Sequence, residues 1–322
     1  MTTVMVASVI ATKCRNGGNA CAVLNWVHGL RRLGVRTYYV EQIASEHCVD
    51  EDGLVVPFER SANVAYFEHV MRDAGLTDVS SLICDAGERT AGMTYGEVLD
   101  TAEATDLLLN ISGHLTLDPV MRRLRRKAYL DLDPGYTQFW HASGNAGARL
   151  SGHDVHFTIG ENIGLPDCCI PTGAIRWRHT RQPIVITADS GAATPWTGRF
   201  TTVGSWRGSY GPVQYGPMTF GLKVHEFRKF IGLPERSAGE FEIALDIHPG
   251  DAGDLDLLRG RIQHRGIDVV RPIRQAAETH IQSNHVLLVV QISRHNERAE
   301  LLGRGVEGER DLVTRLGVVI EH

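Results

Sequence analysis

Hydrophobic and polar positions alternate along this chain in blocks, first as strands and then as helices. Val4 to Ile10 is an apolar run of strand length, followed by a turn at Asn16-Gly17-Gly18. Val23, Trp26, Val27, Leu30 and Leu33 then recur at helical spacing, and Gly34 marks a stop. Val35 to Ile43 predicts a β-branched and aromatic strand, Asn63 to Ala74 a helix with Val64, Phe67, Val70 and Met71 on one side, and Leu82-Ile83-Cys84 a short strand. Tyr95 to Ala104 predicts a helix. Asp106 to Ile111, Ala128 to Leu132 and Val155 to Ile159 predict strands, with Val185-Ile186-Thr187 closing the series. Strands alternating with helices predict a parallel sheet covered on both faces.

Asp189 to Gly198 is small, polar and turn-rich, which marks a linker. After it the pattern restarts: strand Phe200 to Gly204, helix Leu222 to Ile231 ended by Gly232 and Pro234, strand Phe241 to Ile247, helix Ala252 to Arg259 and strand Ile267 to Val270. The expected organisation is therefore an N-terminal Rossmann-like domain over 1–190 and a second over 191–322. Past Phe241 the remaining 81 residues contain no Phe, Tyr or Trp. Val286 to Ile292 still has the character of a strand and Glu297 to Leu302 of a helix. Two readings of this tail stand open. It is an Arg-rich domain end, or the chain leaves its original frame or is cut short after about residue 270, which leaves the second domain incomplete.

Composition narrows the class. The chain has 322 residues, enough for two ordinary domains, and a net charge of -5, which gives no electrostatic reason to expect nucleic acid. The basic stretch Arg122 to Lys127 fits a solvated helix end. No apolar run reaches the ~20 residues of a membrane helix, and no signal peptide is evident. Six cysteines without a CxxC pair fit a reducing, cytoplasmic setting.

Candidate chemistry collects at strand ends and turns. Asn16, Gly17 and Gly18 stand between a strand and a helix N-terminus, where free N–H groups favour an anion; a ligand-free βα turn is the other reading. Gly204, Ser205 and Trp206 end the second domain's first strand. There they offer donors to a diphosphate and a surface to a ring. Lys223 opens the next helix as a phosphate contact or an exposed lysine. Asp131 and Asp133 share a side at a strand end and are candidates to deprotonate an acceptor hydroxyl, with an Asx turn as the alternative for Asp133. His114, after Ile111-Ser112-Gly113, is a candidate general base, or a surface or core-satisfied histidine. His248, in Asp246-Ile247-His248-Pro249, carries the same two readings, binding or structural. His153 and His156 with Asp154 make an incomplete cluster, so no metal site is expected.

Taken together, the Asn-Gly-Gly helix start, Leu130-Asp-Leu-Asp-Pro-Gly135, Phe200-Thr-Thr-Val-Gly-Ser-Trp206, Lys223-Val-His-Glu-Phe-Arg-Lys-Phe230 and Glu242-Ile-Ala-Leu-Asp-Ile-His-Pro249 resemble bacterial glycosyltransferases of the GT-B fold over roughly residues 1–270. The resemblance implies two Rossmann-like domains facing a cleft. The first would hold a small-molecule or glycan acceptor and the second a nucleotide-sugar donor, with no further cofactor. It implies that Gly17 and Gly18 approach the donor phosphates and that Gly204 and Ser205 help hold the diphosphate. The family's Gly-rich loop and ribose-gripping acidic residue have no convincing counterpart within 271–322. A non-catalytic or truncated GT-B-like binding protein is therefore the alternative. A nicotinamide-dependent Rossmann oxidoreductase is third, disfavoured by the poor glycine fingerprint after Ile10.

Overall fold

A computed structural model describes residues 1–186, 199–206, 211–237 and 240–246, together with 251, 253, 254, 256 and 258. The chain falls into two compact units, Met1–Ala192 with Arg207–Arg228, and Ala193–Trp206 with Lys229–His322.

The first unit is built on an eight-stranded sheet. In chain order its strands are β1 (Thr3–Ala7), β2 (Arg36–Ile43), β3 (Ser80–Cys84), β4 (Arg89–Gly92), β5 (Leu107–Ile111), β6 (Lys127–Asp131), β7 (Val155–Thr158) and β8 (Trp177–His179). In space they run β4-β3-β2-β1-β5-β6-β7-β8. Every neighbouring pair is parallel except β3 with β4. Strand order reverses between β1 and β5, so their carboxyl ends open the crevice where ligands of open α/β sheets bind.

Pleating sends alternate residues of β1 into two cores. Val4 and Val6 join Tyr39, Leu82 and Leu109 on one face, packed by the helices α1 (Gly17–Arg32) and α2 (Ala62–Asp73). Met5 and Ala7 join Val40, Ile83 and Leu108 on the other, under α3 (Tyr95–Ala104) and the one-turn α4 (Asp118–Met121). Both faces are covered, which is why these strands read as continuous apolar runs rather than alternating ones. Helix α1 buries Ala20, Val23 and Val27, while Leu33 caps its end and stands 80% exposed. Thr94 and Glu97 start α3 with a reciprocal capping box.

Several elements depart from the pattern. Strand β1 stops at Ala7, three residues short of the apolar run; Ser8 N–H still reaches Val40 O at 3.4 Å, and beyond it the chain turns its amides to Glu41 on β2. Ile10, Ala11 and Thr12 donate backbone N–H to its carboxylate at 2.7, 2.9 and 2.9 Å, and the Thr12 and Tyr39 hydroxyls donate as well. Residues 185 and 186 form no strand. They run along α1, where Asn25 Oδ1 accepts from Val185 N at 2.7 Å and Ile186 O from Arg32. Strands β4 and β8 and helix α5 (Tyr136–Ala142) are additions; Asp133-Pro134-Gly135 reads as a turn and hides the helix start behind it. A hairpin of β10 (Val213–Tyr215) and β11 (Met218–Phe220) also belongs to this unit and packs Tyr215 and Phe220 on Phe139 at 5.3 and 4.4 Å.

In the second unit β9 (Arg199–Ser205) pairs in parallel with β12 (Glu240–Asp246). Helix α6 (Lys223–Lys229) spans the division between units. Pro234, expected to end it, instead starts a one-turn α7 (Leu233–Arg236). The linker from Asp189 to Gly198, Thr187, His248 and the tail elements expected past 260 lie outside the described residues. Among the described residues no helix is long and apolar enough to cross a membrane.

Glu41 is 1% exposed, and burial pushes its carboxyl above the usual range while the amides of residues 10–12 pull it back. Replacing it with glutamine turns an amide NH2 toward backbone N–H groups, which only donate. Glu41→Gln is expected to lower unfolding free energy by about 1–3 kcal/mol, the cost of unsatisfied buried polar groups, read from urea denaturation followed by circular dichroism.

Candidate active site

Three loops converge at the carboxyl edge of the first sheet. They follow β1, β5 and β6, and each is held by a buried polar side chain of the sheet. Glu41 holds the first, which carries Lys13. Asn110, fully buried on β5, holds the second: its Oδ1 accepts from Leu115 N at 3.0 Å and its Nδ2 donates to Leu115 O at 2.9 Å. Asp131 at the end of β6 holds the third. Its carboxylate accepts from Asp133 N (3.0 Å), Thr137 Oγ1 (2.8 Å), Gln138 Nε2 (2.7 Å) and Thr158 Oγ1 (2.7 Å).

A cavity of about 500 Å³ opens among these loops, walled by Lys13, Ser112, His114, Asp133, Tyr136, Trp140 and Arg149 among others. All of its lining residues belong to the first unit. Its rim is conformationally constrained. Ser112 and Arg149 adopt left-handed backbone, φ 53° and 50°, and Gly113 lies between them in space at φ 64°. A Cβ on Gly113 would stand 2.7 Å from Arg149 O, so only glycine permits this approach. Backbone in such regions costs of order 1–3 kcal/mol at non-glycine residues and persists where the surroundings enforce it. Here Tyr129 enforces it: its hydroxyl donates to Ala148 O at 2.9 Å, fixing the turn that presents Arg149.

The structure revises two of the three candidate bases. Asp131 is 0% exposed and both of its oxygens are occupied by donors of its own fold, so it does not face the cavity. The Asx turn is made by Asp131 accepting from Asp133 N, rather than by Asp133. His114 is half-buried, with Nδ1 at 2.6 Å from Arg149 Nη1. A guanidinium only donates, so Nδ1 accepts and the ring proton sits on Nε2. Burial, then Arg149 and Lys13, lowers its pKa to about 3. At neutral pH His114 is thus a donor through Nε2–H, not a base. Asp133 remains. It lines the cavity, and the surrounding protein pushes its carboxyl above the usual range, a push opposed by Lys13 and reinforced by Asp131.

The expected donor-side residues are not gathered at this cavity. Asn16 caps α1, its Oδ1 accepting from Asn19 N at 3.0 Å. Gly17 and Gly18 follow on the exposed first turn, and a Cβ on Gly17 would meet nothing within 4 Å. Gly204 and Ser205 end β9 in the second unit, paired with Leu245 and Asp246. Trp206 is 1% exposed and donates Nε1–H to Asp254 Oδ2 at 2.8 Å, so its indole packs in that unit's interior instead of offering a face to a ring. Lys223 opens α6, with its side chain outside the described set.

Other sequence candidates resolve as structure. His153 accepts at Nε2 from Asn110 and donates from Nδ1 to Leu150 O, and His156 donates to the same carbonyl. Both pack on Tyr129. Among the described residues no three His, Cys, Asp or Glu side chains stand together as a metal site. Cys14 lines a separate pocket of about 300 Å³ with Arg15, Arg60 and Tyr66. Burial and then the Glu41 charge raise its thiol pKa, against a reactive thiolate. Arg149, Tyr136 and Trp140 escaped the sequence reading. Only the Asn145-Ala-Gly-Ala-Arg149 turn signal and the aromatic spacing on a short helix pointed to them.

No family model matches the sequence, and no curated protein does. Among solved structures the chain is similar to an alpha-glucosyltransferase in complex with UDP, at 11% identity and TM-score 0.39 over 84% of this chain and 68% of that one. It is also similar to Acinetobacter baumannii MurG, at 11% identity and TM-score 0.32 over 87% and 70%. A third is the spinosyn rhamnosyltransferase SpnG complexed with thymidine diphosphate, at 12% identity and TM-score 0.30 over 79% and 67%.

The depressed His114 pKa has a stability consequence. A histidine kept neutral in the fold contributes stability that is present above its unfolded pKa of ~6.5 and is lost as pH falls toward the folded value. Melting temperatures taken from pH 7 down to pH 4 are expected to fall less steeply in His114→Gln than in the parent, since glutamine still accepts from Arg149 and cannot be protonated.

Proposed function

We propose that this chain is a GT-B-type glycosyltransferase. In this reading the first unit holds a small-molecule or glycan acceptor in the cavity at the carboxyl edge, and the second unit serves a nucleotide-sugar donor. The acceptor hydroxyl loses its proton to the Asp133 carboxylate as its oxygen bonds the sugar's anomeric carbon. The nucleoside diphosphate departs with the electron pair of the broken bond. Gly17, Gly18, Gly204, Ser205, Lys223 and His248 are the proposed donor and phosphate contacts, and no metal held by an acidic motif is required.

One observation carries this reading. Among the described residues Asp133 is the single carboxylate on the cavity wall, beside the point where strand order reverses, and its backbone N–H is tied to Asp131. A raised pKa suits a base, because proton affinity nearer the working pH gives more driving force for transfer. Tyr136 and Trp140, with ring centroids 5.8 Å apart, supply an aromatic wall against which the less polar face of a sugar ring can rest. The occupation of Asp131 and His114 by protein partners favours a second reading, a binding protein of the same fold without turnover.

Release of nucleoside diphosphate from a panel of nucleotide sugars and acceptors separates the two. Asp133→Asn is expected to lower kcat about 10²- to 10⁴-fold with little change in acceptor KM, and to erase the acidic limb of the kcat/KM profile. That limb is expected above the ordinary aspartate range in the parent. Turnover equal to the parent's in Asp133→Asn removes Asp133 as the base. Nucleotide and acceptor binding without any turnover favours the second reading.

A further inference from the structure

The cavity wall carries more positive charge than a neutral acceptor needs. Among the described residues two cations line it, Lys13 and Arg149, against one carboxylate, Asp133. Neither cation has a carboxylate partner within 4 Å among the described residues. Among the described residues the Arg149 side chain bonds to a neutral ring, donating to His114 Nδ1, which fixes one corner of the guanidinium and leaves its remaining N–H groups for another acceptor. The same bond forces His114 to present Nε2–H as a further donor. Ser112 adds a hydroxyl from a left-handed position on the same rim. Donors therefore outnumber acceptors on this side of the cavity, and they sit on backbone held in place by Glu41, Asn110 and the Gly113–Arg149 contact. A protein that holds two cations and a donor-only imidazole over an open cavity has built the complement of an oxyanion.

We infer that the acceptor is anionic: a hydroxylated small molecule, such as a sugar or polyol, bearing a phosphate or carboxylate that Lys13, Arg149 and His114 Nε2–H hold while its hydroxyl faces Asp133. This deepens the glycosyltransferase reading and rests on it for the word acceptor. The recognition itself is independent of turnover. The aromatic wall of Tyr136 and Trp140 takes the ring of such a molecule, and the cations take its charged end.

Calorimetry on the full chain tests this with four probes: a neutral hexose, the same hexose 6-phosphate, the corresponding hexuronate, and a nucleoside diphosphate alone. The expected result is binding of the phosphate, the carboxylate or both at least about tenfold tighter than the neutral hexose at low ionic strength. The gap should shrink as salt is raised, as screening of exposed charges requires. The two anionic arms tell which oxyanion is preferred. Lys13→Gln and Arg149→Gln are each expected to close the gap, and Lys13→Arg to preserve it. Both side chains are exposed, so unchanged urea midpoints are expected alongside. Equal affinity for hexose and its anionic forms, or no binding by either anion, overturns the inference. So does a nucleoside diphosphate that displaces the anion and loses affinity in the same two variants; the cations would then serve the donor, and the glycosyltransferase reading would stand. An anion preference in a chain that turns over no nucleotide sugar would uphold this site and sink that reading instead.

Discussion

A charge buried in a sheet must find its hydrogen bonds inside the protein, and in this chain two such charges shape everything around the cavity. Glu41 takes five donors, three of them consecutive backbone amides after β1. Asp131 takes four, from the turn after β6, from α5 and from β7. Removing one partner of such a cluster leaves several donors dry at once, which is far costlier than losing one exposed contact. The carboxylates therefore do not decorate preformed loops. They hold the chain that follows β1, the turn at Asp133 and the start of α5.

This arrangement divides labour among residues of the same type. Of the two aspartates at the end of β6, one is sealed and rigidifies, and the other faces the cavity with a raised proton affinity. Around His114, burial chiefly disfavours protonation, and the Arg149 guanidinium adds to it. By donating to Nδ1 the guanidinium fixes the tautomer, so a ring often used as a base becomes a fixed donor. The constraint at Gly113 and Arg149 serves the same end, since a turn held by steric contact presents its side chain with little freedom to lose on binding.

Much of the scaffold was legible in the sequence because both faces of the sheet are covered. Burial on two sides leaves long apolar runs at β1, β2, β5 and β6, and helical spacing on α1, α2 and α3. The missed elements are those held by a pairing or anchoring partner rather than by a hydrophobic pattern of their own. Strand β4 is Arg-Thr-Ala-Gly, with no pattern of its own, and is defined by antiparallel pairing to β3. Helix α5 hides behind a Pro-Gly turn and is anchored by Thr137 and Gln138 on Asp131. At the candidate site, the motif Leu-Asp-Leu-Asp-Pro-Gly located the right strand end, yet alternation alone could not say which aspartate was sealed. That depends on Thr158 from the next strand, 27 residues away. Likewise nothing near His114 announces Arg149, 35 residues on, which decides its tautomer.

Those separations also bear on how the molecule is made. The amides of residues 10–12 reach their carboxylate only once β2 lies beside β1, 29 to 31 residues later in the chain. Asp131 completes its shell only when β7 has docked. Parallel pairings of this kind close long loops before any contact rewards them, which slows folding. The cavity therefore draws on contacts that reach across the sheet, and a molecule whose β7 is out of place loses one of the four donors that hold Asp131 and, with it, the turn that presents Asp133.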